Sequence, residues 1–205
     1  MEIAPSRCSD EFRLVVCGAG AVGGNLVEHL ARCAFPASLA VIDHDRVEVA
    51  NIRNQPYDVR QAGTSKVHAL ASRVFEACEC RIDAIHATLD AASAPKLLRG
   101  AALVVDALDN APSRLAVRDA CLALKIPALH AGLARDGYVE VRGNDGYRIE
   151  QAPDGAGPCG EATTRSQVLL VVLLTAEAIR CVLAGESDPT LSATLATLCQ
   201  TSRMP

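Results

Sequence analysis

The chain has no tryptophan, and three tyrosines and three phenylalanines hold its aromatic share to 3% of 205 residues. A core of this size must therefore be aliphatic. Alanine, valine and leucine supply it, for half of all residues are apolar, a composition suited to parallel strands covered by helices. Lysine-rich and arginine-rich runs are also missing, and the formal charge is −4. Without a basic footprint, nucleic acid is excluded as the main partner. None of the nine cysteines belongs to a Cys-x-x-Cys pair. Scattered thiols, odd in number, in a domain large enough to fold without staples read as reduced cytoplasmic cysteines. Those spacings assemble no tetrahedral metal site, so no zinc is expected. Residues 1–10 carry Glu2, Arg7 and Asp10 and no apolar signal core, which also points to the cytoplasm. The most apolar run, Val168 to Ala176, meets Glu177 and Arg180 before it reaches bilayer length. It reads as a buried or dimer-facing helix, and no membrane is expected as a partner.

What is present is an alternation of short apolar strands and amphipathic helices. Arg13 to Cys17 is a β-branched run entering the turn Gly18-Ala19-Gly20-Ala21-Val22-Gly23. Val22, Leu26 and Leu30 then recur at helical spacing through Cys33. Leu39 to Ile42 is a second strand ending at Asp43, Lys66 to Ala77 a helix after the Gly63 turn, and Arg81 to His86 a third strand. Leu103 to Val105 is a buried strand that delivers Asp106 and Asp109; Ser113 to Leu124 is a helix and Ala128 to Leu133 a strand. This order predicts an α/β fold: a Rossmann-like, doubly wound, mostly parallel sheet with its ligand at the strand C-terminal ends. Tyr138 to Val141 and Tyr147 to Ile149 alternate around Asn144-Asp145-Gly146, a hairpin signal that adds antiparallel strands in the C-terminal half. Ala152 to Thr164, rich in glycine and proline, reads as a mobile loop and Ser166 to Leu183 as the last helix. One nucleotide-binding domain is expected over residues 1–184, with 185–205 a tail of uncertain structure.

In the glycine turn, Gly18 permits the bend, Gly20 lets backbone approach a phosphate, and Gly23 lets the helix pack on the sheet. The helix N-terminus then offers unpaired N–H groups to an anion. Asp43, at a strand end 20 residues after Gly23, is placed to accept ribose hydroxyls. These features suit NAD and ATP equally.

The remaining motifs separate the two. Asp43-x-Asp45-x-Val47-x-x-x-Asn51-x-x-x-Gln55, then Gly63-x-x-Lys66, then Asp106-x-x-Asp109-Asn110-x-x-x-Arg114 resembles the ThiF/MoeB/E1-like superfamily of adenylating enzymes, over roughly residues 13–135. The resemblance implies that Asp43 holds the ribose, Lys66 the phosphates and Asp109 the Mg²⁺, while Asn51 and a neighbouring arginine, Arg53, engage the β- and γ-phosphates. Gly18, Gly20, Gly23, Asp45, Gln55 and Asn110 complete the implied ATP site. Such chemistry brings a carboxylate against the α-phosphorus, so the site must screen charge and fix an in-line geometry. A carboxylate is a suitable hard ligand for magnesium, which takes one or two protein oxygens. Plainer roles compete: Asp109 as N-cap of the helix beginning near Ala111, Lys66 as a solvated helix residue, and His130 as a satisfied structural histidine.

The chain departs from the family at Asn51-Ile52-Arg53-Asn54-Gln55, where Asn54 takes the usual arginine position and Arg53 stands one residue early. The family's N-terminal arginine segment has no clear match beyond Arg7 and Arg13. Cys159, in Gly157-Pro158-Cys159-Gly160 ahead of the last helix, is a candidate acceptor for an activated acyl group. The resemblance implies an ATP-dependent adenylyltransferase acting on the C-terminal carboxylate of a ubiquitin-like or sulfur-carrier protein, or of a peptide, and working as a homodimer or heterodimer. A catalytically silent E1-like partner subunit and an NAD-dependent oxidoreductase are the rival readings.

Overall fold

Leu14, Val15, Val16 and Cys17 are all inaccessible to solvent although successive strand residues point to opposite faces, so the strand that carries them must be covered on both sides. The structure is a computed structural model that describes residues 12–35, 37–134, 136–144, 147, 164–186 and 189–198. That first strand, β1 (Arg13–Cys17), leads into α1 (Ala21–Arg32), β2 (Ser38–Asp43), α2 (Lys66–Cys78), β3 (Asp83–His86), the single turn α3 (Ala94–Leu97), β4 (Leu103–Asp106), α4 (Ala111–Leu124) and β5 (Ala128–Leu133). After these come β6 (Val139–Gly143), α5 (Arg165–Leu183), β7 (Leu191–Ala193) and the single turn α6 (Leu195–Leu198). Two short 3-10 turns, Val49–Asn51 and Val59–Gln61, fill the long β2–α2 connection. The sheet order is β3-β2-β1-β4-β5-β6-β7. Pairing is parallel from β3 to β5, and antiparallel where β6 and β7 join.

Two apolar layers result. Leu14 and Val16 pack with Leu26 of α1, Leu70 of α2 and Val171 of α5. Val15 and Cys17 pack with Ala94 of α3 and Val117 of α4. This is the doubly wound architecture expected from the alternating strands and helices. Chain order reverses on the two sides of β1, and the crevice at that switch point lies between the N-termini of α1 and α4.

By length and composition α5 could cross a bilayer, but Val168, Val171, Val172 and Ile179 are buried and the helix packs against α1, β5 and β6. It is a core helix. Thr164 and Gln167 close its first turn as a capping box.

The hairpin is where the sequence reading is corrected. Val139 to Val141 of β6 pair with β5 on one side and with β7 on the other, so β7 takes the position expected for the hairpin partner; Tyr147 belongs to no strand, and 148–149 lie outside the described residues. Chain reversal occurs earlier, where the Ala134 amide donates to the Tyr138 carbonyl at 2.8 Å and that of Gly137 to the Ala134 carbonyl at 3.1 Å. Gly137, at φ +85°, supplies the left-handed residue such a turn needs. Part of the tail thus belongs to the sheet as β7. Most of the expected loop 152–164, Cys159 included, lies outside the described residues.

Candidate functional site

The glycine turn is held from three directions. The Gly18 amide donates to the Ile42 carbonyl at 2.8 Å, with φ at +98° and space for a Cβ closed by the Ala107 carbonyl at 3.0 Å. The Ala19 amide donates to Asp43 Oδ2 at 2.6 Å, and Asp43 Oδ1 accepts from the Asp45 amide at 2.7 Å. The Tyr57 hydroxyl donates to the Ala19 carbonyl at 2.7 Å. Burial first, then the Asp43 and Asp45 carboxylates, push the Tyr57 phenol far above its ordinary value, so it remains a neutral donor. Gly23 does what its position predicts, since a Cβ there would stand 2.0 Å from the Gly18 carbonyl oxygen. At Gly20 a Cβ would meet nothing within 4 Å, and α1 begins there with no side-chain cap. Bare backbone therefore faces a cavity of about 530 Å³.

On the β2 side this cavity is lined by Asp43, His44, Asp45, Lys66, Asn51 and Gln55. Reciprocal backbone bonds, Val47 amide to Thr64 carbonyl and Gly63 amide to Val47 carbonyl, both 2.8 Å, fix the approach to α2. They deliver Lys66 into the site at only 5% exposure, its Nζ 2.9 Å from Asp45 Oδ2. Lys66 is therefore not a solvated helix residue. Burial works to raise the Asp45 carboxyl, but the hydrogen bond and charge of Lys66 outweigh it and hold the group below its usual value. Gln55 Oε1 is buried without a hydrogen-bond partner, an unmet acceptor at the cavity wall.

Arg53 is placed differently from the expectation. It is exposed and does not line the cavity: the Asn54 carbonyl is tied to α1 through Asn25 Nδ2 at 2.8 Å, and residue 53 sits at the outside of the turn closed by the Asn54 and Gln55 amides on the Asn51 carbonyl at 3.3 and 3.1 Å.

Beyond β1, Asp109 and Asn110 follow β4 and line the cavity. The helix cap is Asn110, whose Oδ1 accepts from the Ser113 amide at 2.9 Å, so Asp109 is left exposed toward the cavity without a capping duty. Asp106 is fully buried. Its Oδ2 accepts from Arg114 Nε at 3.0 Å and lies 2.9 Å from His130 Nδ1, while Oδ1 accepts from the Leu108 amide at 3.0 Å. Burial would raise this carboxyl, yet His130, Arg114 and the Leu108 amide together keep it below the ordinary value. His130 is satisfied at both ring nitrogens, Nε2 lying 2.7 Å from Asn144 Oδ1, as expected of a structural histidine.

The one group of three potential metal ligands among the described residues is Asp43, His44 and Asp45, within 4.8 Å of one another; Asp109 stands apart from it. Open backbone at Gly20, the buried ammonium of Lys66 and the unmet Gln55 acceptor fit an adenine nucleotide. Asp109 fits a magnesium ion completed by phosphate oxygens and water. Tyr57 and Asn25 were missed as members of the site, and Asp106 and Arg114 were noted only as parts of a motif.

The model of the ThiF family matches residues 9–198. The sulfur carrier protein adenylyltransferase of Thermus thermophilus is 34% identical over 194 residues, 86% of this chain and 70% of that protein. The SAMP-activating enzyme E1 of Haloferax volcanii is 30% identical over 149 residues, covering 72% of this chain and 51% of that one. Mouse adenylyltransferase and sulfurtransferase MOCS3 is 34% identical over 151 residues, 71% of this chain but 30% of its own length. Several relatives are thus considerably longer than the matched chain. Among solved structures, E. coli tRNA N6-threonylcarbamoyladenosine dehydratase, TcdA, in complex with AMP has a TM-score of 0.57 at 25% identity, over 63% of this chain and 56% of its own. E. coli MccB with AMPCPP and MccA reaches 0.73 at 15% identity, covering 90% and 63%, a likeness of fold. With the family model spanning nearly the whole sequence, this chain belongs to the ThiF family.

Proposed function

We infer that the chain is an ATP-dependent adenylyltransferase that activates the C-terminal carboxylate of a ubiquitin-like or sulfur-carrier protein, or of a peptide. The observation that carries this reading is Lys66, a lysine only 5% exposed that lines the same cavity as Asp109 from the other side of the glycine turn. Asp43 would accept the ribose hydroxyls, and the α1 N-terminus with Lys66 would hold the phosphates. The substrate carboxylate forms a bond to the α-phosphorus as the bond to the pyrophosphate oxygen breaks, giving an acyl-adenylate and pyrophosphate without need of a general base. Magnesium at Asp109 would supply charge neutralisation on the phosphates. Relatives named adenylyltransferases support this chemistry over a dinucleotide-dependent oxidation. Calorimetry tests it: Mg²⁺-dependent ATP binding is expected, with that dependence lost in Asp109→Ala, and an absence of ATP binding in the native chain would defeat the reading.

Cys159 is proposed as acceptor of the activated acyl group. Its alanine variant should then adenylate normally but form no thiol-reducible conjugate, and persistence of that conjugate would assign the transfer elsewhere. A cytoplasmic homodimer or heterodimer is proposed, with Leu169 and Leu173, 42% and 54% exposed on one face of α5, as the apolar contact surface. A catalytically silent subunit remains the second reading, favoured by the outward placement of Arg53 and by Asn54 at the family's arginine position. ATP–pyrophosphate exchange by the purified chain alone would exclude it.

A further inference from the structure

The cavity has a second cation whose constraints differ from those of Lys66. Arg114 lines it on the β5 side, beside Ser113, Ala131, Gly132 and Leu133, with a side chain only 16% exposed. Its Nε donates to buried Asp106 and its Nη2 to the Ala131 carbonyl at 3.1 Å. The guanidinium carbon stands 5.4 Å from the centroid of the Tyr147 ring. That ring is itself stacked on His130 at 3.7 Å and 8°, and His130 is hydrogen-bonded to Asp106. Carboxylate, carbonyl and aromatic face thus fix the guanidinium plane, while Nη1 makes no hydrogen bond among the described residues. A guanidinium so held is preorganised, with one donor edge left for an anion.

Its place in the fold says which anion. Asp43 and Lys66 lie on the β2 side of the glycine turn and Arg114 on the β5 side, with β1 and β4 between them. If nucleotide occupies the β2 side and the turn, as the function proposed above requires, the β5 side is left for the second reactant. Apart from Asp109 at its border, the lining there is neutral. Lys66 is engaged with Asp45, which leaves Arg114 as the arginine or lysine facing that side. We propose that Arg114 is the anchor for the terminal carboxylate of the substrate, donating from Nη1 to one oxygen so that the other is aimed at the α-phosphorus, and that Asp106, His130 and Tyr147 position it. The inference rests on the adenylating reading for its second reactant. Its chemistry adds no group to the reaction: the anchored oxygen keeps its hydrogen bond while the free one forms the bond to phosphorus.

The test uses N-acetyl-glycyl-glycine, whose terminal carboxylate is its single charge, against its C-terminal amide, with NMR of the Arg114 Nε–H and calorimetry of AMPCPP. The free acid should shift the Arg114 resonance saturably and the amide should leave it unmoved. Arg114→Lys should weaken the acid by about tenfold or more, the worth of a charge-assisted hydrogen bond, with AMPCPP affinity unchanged. Equal response to acid and amide, or no response to either, would overturn the proposal. So would loss of AMPCPP affinity in Arg114→Lys, which would assign the guanidinium to the nucleotide. Tyr147→Ala, which leaves the Asp106 ion pair in place, should weaken the acid several-fold while Tyr147→Phe behaves as native; equal behaviour of the two variants would remove the ring from the positioning role. Should the native chain bind the acid through Arg114 but not AMPCPP, the adenylating function fails and the carboxylate anchor stands.

Discussion

Replacing Lys66 with alanine is expected to lower ATP–pyrophosphate exchange by about 10²–10³-fold, the effect of deleting one preorganised charge from a site that stabilises a developing anion. The size follows from its setting. A surface lysine would be replaced in part by water and salt, whereas the Lys66 ammonium is buried at 5% exposure and is placed by the backbone bond from its own amide to the Asp45 carbonyl at 2.9 Å. Its carboxylate partner is half exposed, so Asp45 can be hydrated once the ammonium is gone, and the fold should survive. The discriminating comparison is therefore exchange rate against thermal unfolding: a large loss of rate with a nearly native melting profile is expected. Equal loss of both would make Lys66 a structural residue, and retention of rate would move the phosphate site elsewhere.

Gly23→Ala should have the opposite signature. The added methyl would stand 2.0 Å from the Gly18 carbonyl oxygen and 3.0 Å from its carbonyl carbon, and the atoms it strikes are backbone of the glycine turn, where Gly18 already stands at φ +98°. Ordinary overpacking of a core costs about 1–3 kcal/mol because side chains can yield. Here α1 or the turn must shift, so a loss above about 4 kcal/mol is expected, a large share of the net stability of about 5–15 kcal/mol that a folded domain has. Urea denaturation, or the soluble yield if no folded protein survives, measures it. Gly20→Ala is the matched control, since its methyl meets nothing within 4 Å and projects toward the cavity. It should fold as native and bind nucleotide poorly. If Gly23→Ala folds normally, the close packing of α1 on the glycine turn is not a requirement of the fold.

The parts of this molecule that were legible beforehand are those where residue type is dictated by local geometry. Gly18 and Gly23 are demanded by the turn itself, and β1 and β5 begin and end where their apolar runs do. Tyr57 was not legible, because its partner Ala19 is 38 residues away and a tyrosine in a loop carries no periodic signal. The hairpin was misplaced for a related reason. Asn144-Asp145-Gly146 and Asp136-Gly137 are both turn signals, and the Tyr147 amide does donate to the Asn144 carbonyl at 3.3 Å, but which strand lies beside β6 is decided by long-range pairing with β5 and β7. β7 has three residues and becomes a strand only through its neighbour. Arg53 and Asn54 are adjacent in sequence, and nothing in that adjacency shows that the turn after Asn51 sends Arg53 outward.

The antiparallel pairing of β7 on β6 also bears on how the protein stays in solution. Leu191 to Ala193 cover the backbone of Val139 to Val141, a segment whose two valines are already fully buried. Cutting the chain ahead of Leu191 would bare a row of unsatisfied amides and carbonyls on an apolar strand, a template on which further copies can stack edge to edge. Three residues of tail thereby guard the sheet against aggregation, a duty separate from any served by the cavity.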